Sequence, residues 1–357
     1  MPSAPVVPGD ARPPREDPFV THPPTRSRTA RLRPTVPALL AAVVLAGCSA
    51  AASTTGSSGA TDDPVGPRTV TNCGVDVALD EAPERVVLLD PAPVTVLDGL
   101  GVLDRVVARA GVFDPAYYDD ALLARIEAIP ALTEEVDATG HLMISSEVVI
   151  AQQPDLVLGL PEGLTRDGMA DAGAAVLVSP VFCPGGAGDA SFQTLYDQVR
   201  DLGTVFGRDD AAAELVESLQ DRVGAVEQVA PDDGRTAAVL YPSVGGGPLY
   251  AYGRGSMAQP QLDAAGLENV FADTADRVFE VGVEELVARD PDVLVVLYQG
   301  DVEGIVEEVT ALPGAAAITA VRDDEILVQP FNFTEPSSPL TVTGLEAVVE
   351  RFGRDGS

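Results

Sequence analysis

The chain has 357 residues, 46% of them hydrophobic, and a formal net charge of -33, with 55 acidic against 22 basic side chains. That balance excludes nucleic-acid binding through a basic surface, and the acidity itself is read as solubility and composition bias. The length suffices for a sizeable core divided between two lobes.

The chain opens with a positive stretch (Arg26, Arg28, Arg31, Arg33), followed by an apolar run, Pro37 to Ala46. About ten residues suit a signal peptide and are too short to span a bilayer. The run ends in Leu45-Ala46-Gly47-Cys48, a bacterial lipobox. It predicts cleavage before Cys48 and a diacylglycerol on the Cys48 sulfur. The expected location is therefore the extracytoplasmic face of the bacterial cell membrane. Ser49 to Gly59 is rich in Ser, Gly, Ala and Thr, the composition of a flexible tether. Residues 1–47 are thus read as signal peptide and 48–68 as lipidated tether. Lipidation of Cys48 leaves Cys73 and Cys183, which an exported compartment favours pairing; two free buried thiols are the alternative. With only two thiols and one His remaining once the leader is removed and Cys48 is lipidated, a Cys/His metal site is improbable.

Short apolar runs then alternate with helical patterns. Strands are predicted at 85–89, 105–108, 156–158, 174–178, 236–241, 293–297 and 324–328. Helices are predicted at 94–103, 145–153, 260–266, 284–289 and 343–352. Apolar strands alternating with helices indicate α/β architecture with parallel sheets covered on both faces. Glu147 to Val157 and Glu284 to Leu294 share one pattern: Glu, a helical turn or two, Pro-Asp, then an apolar strand. Each half carries it once, so the halves look duplicated. Between them, 194–206 reads as a helix broken at Gly207. A second helix follows, capped by Asp209 and running towards Val229, with Leu215, Leu219, Val223 and Val226 on one stripe. The predicted division is an N-terminal lobe at 69–206, an interlobe helix at 207–230 and a C-terminal lobe at 231–357.

Taken in order, these motifs resemble a family. Asn72-Cys73-Gly74 precedes Pro83-Glu84-Arg85-Val86-Val87; Ser146-Glu147 leads to Pro154-Asp155-Leu156-Val157. Gly253-Arg254-Gly255-Ser256 precedes Ala265-Gly266-Leu267-Glu268-Asn269; Leu312-Pro313-Gly314 precedes Ala320-Val321-Arg322. From about Asn72 to Phe352 the chain is similar to periplasmic-binding proteins of the iron-siderophore and cobalamin class, the ligand-capture subunits of ABC importers. The resemblance implies two Rossmann-like α/β lobes joined by a single long rigid helix, with the ligand in the cleft between them. It implies a monomer that captures a ferric siderophore, has no cofactor of its own, binds no metal directly, and delivers its cargo to a permease dimer. One Glu on each lobe would dock on permease Arg residues; by position these are Glu147 and Glu284, with Glu285 as the alternate. No Gly-x-Ser-x-Gly elbow, phosphate loop or His-bearing zinc motif is visible, so no enzymatic activity is expected.

Open α/β sheets bind ligands beyond the carboxyl ends of their strands. The candidate ligand residues are therefore Arg109, Tyr117 and its neighbour Tyr118, Arg254, Tyr298, Phe331 and Phe333. Arginine offers fixed donors to chelate oxygens, and aromatic rings cover a chelate's carbon face. His141 is the one His after the leader, a weaker candidate for a haem iron. Corrinoid or haem binding on the same fold, or a sensor lipoprotein without transport, are the alternatives.

Overall fold

The computed structural model describes residues 67–353, apart from 138–140, 184–187, 232, 244 and 301. Cys48, the lipobox and most of the tether lie outside the described residues. A hairpin of β1 (Arg68–Asn72) and β2 (Val75–Leu79) comes first. The first sheet contains β3 (Val86–Leu88), β4 (Val106–Arg109), β5 (Leu156–Leu158) and β6 (Ala175–Leu177), all parallel, in the order β4-β3-β5-β6. Around it lie α1 (Val94–Gly99), α2 (Asp120–Glu127), α3 (Ser146–Ile150) and α4 (Arg166–Asp171). Two longer helices follow, α5 (Phe192–Phe206) and α6 (Asp209–Val229).

The second sheet contains β7 (Thr236–Pro242), β8 (Leu249–Tyr252), β9 (Glu268–Asn269), β10 (Val278–Glu280), β11 (Val293–Tyr298) and β12 (Ile326–Pro330). Its order is β10-β8-β7-β11-β12, with β9 beside the start of β7. Its helices are α7 (Ala258–Ala264), α8 (Val283–Arg289), α9 (Ile305–Thr310), α10 (Thr319–Arg322) and α11 (Pro339–Phe352). This sheet is mixed, not wholly parallel as the sequence suggests: β8 runs antiparallel to both β7 and β10.

The strands read as continuous apolar runs because both sheet faces are covered. Val86 and Leu88 turn to one face of the first sheet and Val87 to the other; Val293, Val295 and Leu297 oppose Leu294 and Val296 in the second. One core unites the inner faces of both sheets with α1, α5, α6 and α11. At 1.5 Å per residue, α6 is about 31 Å long. Its buried stripe is Ala212, Val216, Leu219, Val223 and Val226. Leu215 sits at the margin of the stripe, against Gly99. Gly207 ends α5 in the left-handed conformation, as its predicted break requires. Asp209 is not the cap of α6: Arg208 holds that position, and Asp209 lies in the first turn, where its charge meets the helix dipole and its Oδ1 accepts from Thr204 Oγ1 at 2.9 Å.

The repeated Pro-Asp pattern has a structural role that is the same in both halves. Asp155 accepts from the backbone N–H groups of Glu84 (2.7 Å) and Arg85 (3.0 Å), just before β3. Asp292 accepts from the N–H (2.8 Å) and hydroxyl (2.9 Å) of Thr236, at the start of β7. Each Asp thus holds the start of a neighbouring parallel strand, and each Pro follows a residue at positive φ: Gln153, a short way past α3, and Asp290, the C-cap of α8.

Cys73 and Cys183 form a disulfide with Cα atoms 5.1 Å apart. Cys73 and Gly74 are the two central residues of the β1–β2 turn, both at positive φ, as a type I′ hairpin requires. Asn72 beside them both donates to and accepts from the backbone of Val178, at 2.9 Å each way. The hairpin is thereby tied to the loop that follows β6 by one covalent and two hydrogen bonds.

Candidate ligand-binding cleft

The carboxyl ends of β4, β11 and β12, with the loop after β4, carry most of the candidate residues, and those of β3 and β7 add Asp90 and Tyr241 beside them. Arg109 is the last residue of β4 and is only 9% exposed. Its Nε donates to the Ile126 carbonyl at 3.2 Å, its Nη1 lies 3.5 Å from Glu134, and its guanidinium covers the Phe113 ring at 5.0 Å. Tyr117 closes a short 3-10 turn started by Pro115 and capped by Asp114. It is 7% exposed, and its ring meets Tyr118 edge-on at 5.8 Å and Phe333 at 6.0 Å. Its hydroxyl accepts from the Asn332 backbone N–H at 3.2 Å, a direct bond from the first half of the chain to the second.

Phe331, Asn332 and Phe333 form a 3-10 turn directly after β12. Phe331 packs edge-on against Tyr241 of β7 at 5.8 Å. Tyr298 ends β11; burial first, and the charge of Asp114 second, raise its pKa above the ordinary tyrosine value. Burial likewise pushes Tyr117 and Tyr118 well above that value. These rings therefore stay neutral hydroxyl donors or acceptors at any physiological pH. Asp90, directly beyond β3, accepts from the Ala92 N–H at 2.9 Å, and burial pushes its carboxyl up to about 6.

Arg254 is placed differently from the other candidates. The sequence puts it in a loop after the strand at Tyr241, but β8 intervenes and runs antiparallel to β7. It therefore leaves the sheet at the end opposite Pro242. Its Nε bonds Asp189 at 3.0 Å. His141 is exposed and lies 3.6 Å from Asp137. Among the described residues no group of three or more His, Cys, Asp or Glu is placed to hold a metal.

Glu147 and Glu284 are both exposed, in the first turns of α3 and α8. The Glu147 carboxyl is held below the usual carboxylate range by its own backbone N–H, then by the hydroxyls of Ser145 and Ser146. Glu285, the alternate, is engaged by Arg289 at 3.1 Å. No side chain bonds Glu284 among the described residues.

The turn carrying Phe331 and Phe333 depends on a glycine. Gly344 lies within α11, where glycine is unfavourable, but a Cβ there would overlap the Phe333 carbonyl oxygen and come within 2.9 Å of the Phe333 side chain. Gly344→Ala is expected to lower stability by about 1–3 kcal/mol, read as a shift in the urea midpoint. An unchanged midpoint would show that the helix and the turn separate at no cost.

Sequence reasoning missed Asp90, Phe113, Tyr241 and Asn332. Asp90 and Tyr241 do lie at the ends of apolar runs, which was a usable signal; Phe113 and Asn332 join only through the tertiary contacts of Arg109 and Tyr117.

An α/β chain whose sheets aim aromatic side chains at a common boundary fits a solute-capture protein, and comparison with known proteins agrees. Residues 86–332 match the periplasmic binding protein family. A crystal structure described as an ABC-type Fe3+-hydroxamate transport system from Saccharomonospora viridis is 56% identical, with a TM-score of 0.77, covering 81% of this chain and 99% of that one. The uncharacterized ABC transporter substrate-binding lipoprotein YvrC of Bacillus subtilis is 24% identical over 89% of this chain and 95% of its own length. A cobalamin-binding protein of Halobacterium salinarum is 27% identical over 61% of this chain and 55% of its own length. The chain belongs to the periplasmic binding protein family, as a substrate-binding protein of ABC transport with no enzymatic role.

Proposed function

We propose that this protein captures a ferric hydroxamate siderophore in the cleft between its lobes and hands it to an ABC permease. In this reading Cys48 carries the lipid anchor, residues 69–206 and 231–357 are the two lobes, and the helix between them is a rigid brace. The observation that carries it is the aromatic cluster of Tyr117, Tyr118, Tyr241, Tyr298, Phe331 and Phe333, drawn from both halves of the chain with Arg109 at its edge. Rings of this kind suit the apolar body of an iron chelate, and a cation suits its oxygen ligands. The 56% identity to the hydroxamate-system structure favours that chelate class over haem or cobalamin. A neighbouring cavity lined by Asn72, Asp90, Ser179, Gln198 and Asp201 holds only about 40 Å³, too small for a chelate, since ligand pockets run from about 300 Å³ upwards. The chelate would therefore part the lobes at the Tyr117–Asn332 contact.

The test is tyrosine fluorescence. The chain has seven Tyr and no Trp, and Tyr117, Tyr118, Tyr241 and Tyr298 belong to the cluster. In the Cys48→Ala protein, saturable quenching by ferrichrome is expected, weakened about tenfold or more by Tyr117→Ala. Saturation by haem or cobalamin alone would reassign the ligand.

A further inference from the structure

Beyond the aromatic cluster lies a charge pair that no packing argument explains. Glu335 is fully buried, two residues past Phe333. Its Oε1 accepts from the Met257 N–H at 2.7 Å, while its Oε2 has no hydrogen-bond partner. The nearest cation is Arg277, whose Nη1 stands 3.6 Å from Oε2 and is itself buried without a hydrogen bond. The guanidinium lies over the Phe182 ring at 5.2 Å, and Phe182 follows β6 in the other half of the chain.

Arg277 differs in this from the other arginines near the boundary. Arg109 is committed to Ile126 and Glu134, and Arg254 to Asp189 and the Asp273 carbonyl. The Arg277 side chain makes no hydrogen bond among the described residues, yet is held in place by a buried carboxylate on one side and an aromatic face on the other. A buried ion pair with incomplete hydrogen bonding adds little stability, because desolvation offsets the attraction. Buried polar atoms left unsatisfied call for an explanation, and a third partner supplies one.

We propose that Arg277 is a ligand-contacting residue of the cleft, donating hydrogen bonds to the iron-bound oxygens of the chelate, with Glu335 as its buried counter-charge and positioning residue. The proposal rests on the ferric-chelate reading and adds to it the recognition of the oxygen shell. Arginine suits that task because its donors form a fixed fork that matches paired oxygens. Phe182 would hold the guanidinium plane, so a chelate seated there touches both halves of the chain.

A pH dependence follows. Burial pushes Glu335 up to about 7, against the pull of Arg277 and the Met257 N–H. The other titratable groups facing it are Tyr252, itself raised by burial and by Glu335, and, beyond Tyr252, Tyr241; both stay neutral. Above about pH 7 an ionised Glu335 neutralises Arg277; below it the guanidinium charge is unopposed. Chelate binding should therefore tighten as the pH falls from about 8 to about 6.

The experiment titrates wild type, Arg277→Gln, Arg277→Lys and Glu335→Gln with ferrichrome, ferric enterobactin, ferric citrate, haem and cobalamin. For a ferric siderophore bound by wild type, Arg277→Gln should weaken affinity about tenfold or more, Arg277→Lys should recover part of it, and Glu335→Gln should flatten the pH profile. If Arg277→Gln leaves Glu335 uncompensated and the protein unfolded, Arg277→Gln with Glu335→Gln removes both charges together. Unchanged affinity and pH profile in a folded Arg277 variant would overturn the proposal while leaving the ferric-chelate reading standing. Binding of haem or cobalamin alone would overturn that reading, and the same tenfold ratio on that ligand would then decide Arg277. No binding to any probe would overturn both.

Discussion

Replacing Cys73 and Cys183 together by serine is expected to lower stability by up to about 5 kcal/mol, among the largest effects of any two-residue change in this chain. The bond joins positions 110 residues apart, and closing so long a loop removes much of the freedom of the unfolded chain. Asn72 keeps the β1–β2 turn near β6 without the bond, so the native fold should survive and the loss should fall mainly on the unfolded side. Urea denaturation of oxidised, reduced and double-serine protein is the measurement, with the midpoints of the last two moving down together. Coincident midpoints for all three would mean that the cross-link constrains nothing that unfolding releases. The change should also reach the cleft, since Cys183 adjoins Phe182, the ring beneath Arg277.

If Glu147 and Glu284 dock on the permease as proposed, reversing both charges, Glu147→Arg with Glu284→Arg, is expected to abolish uptake while leaving chelate affinity unchanged. The two carboxylates are exposed, and each starts a helix at a corresponding place in its half of the chain. Hydrogen bonding keeps Glu147 ionised well below physiological pH. Exposed charges of this kind govern orientation and association rate more than affinity, so reversal converts steering into repulsion. Each single variant should transport more slowly, and more so at low ionic strength, where screening is weakest. Glu285→Arg, which disturbs a carboxylate already engaged by Arg289, should do less. Wild-type uptake of radiolabelled ferric chelate by the double variant would remove both residues from the docking surface.

What the sequence made legible follows from burial. Strands β3, β5 and β11 are covered on both faces, so they appear as uninterrupted apolar runs, and the predicted 156–158 and 293–297 match them within a residue. The β1–β2 hairpin and β8 and β10 lie in a separate ribbon or towards the sheet edge, where exposed residues such as Thr71 and Glu280 and the half-buried Tyr250 break the run. Missing β8 is what placed Arg254 after β7. The aromatic candidates were legible because strand ends are readable. Arg277 and Glu335 were not: in sequence they are ordinary charges beside Asp276 and Pro336, and only burial gives them meaning.

The core cluster shared by both sheets has a consequence for inheritance. Val342, Leu345, Val348 and Phe352 of the last helix belong to the same apolar cluster as Leu97 and Leu100 near the start. Helix α11 thus helps cover the sheet built by the first half of the chain. The first half cannot be exchanged between relatives as one continuous segment without cutting that cluster. A working chimera must carry α11 with the first half, or rebuild its apolar face to fit a new one. Drift in binding specificity within this fold is therefore channelled into the loops beyond the strand ends, where sequence can change without reopening the shared interior.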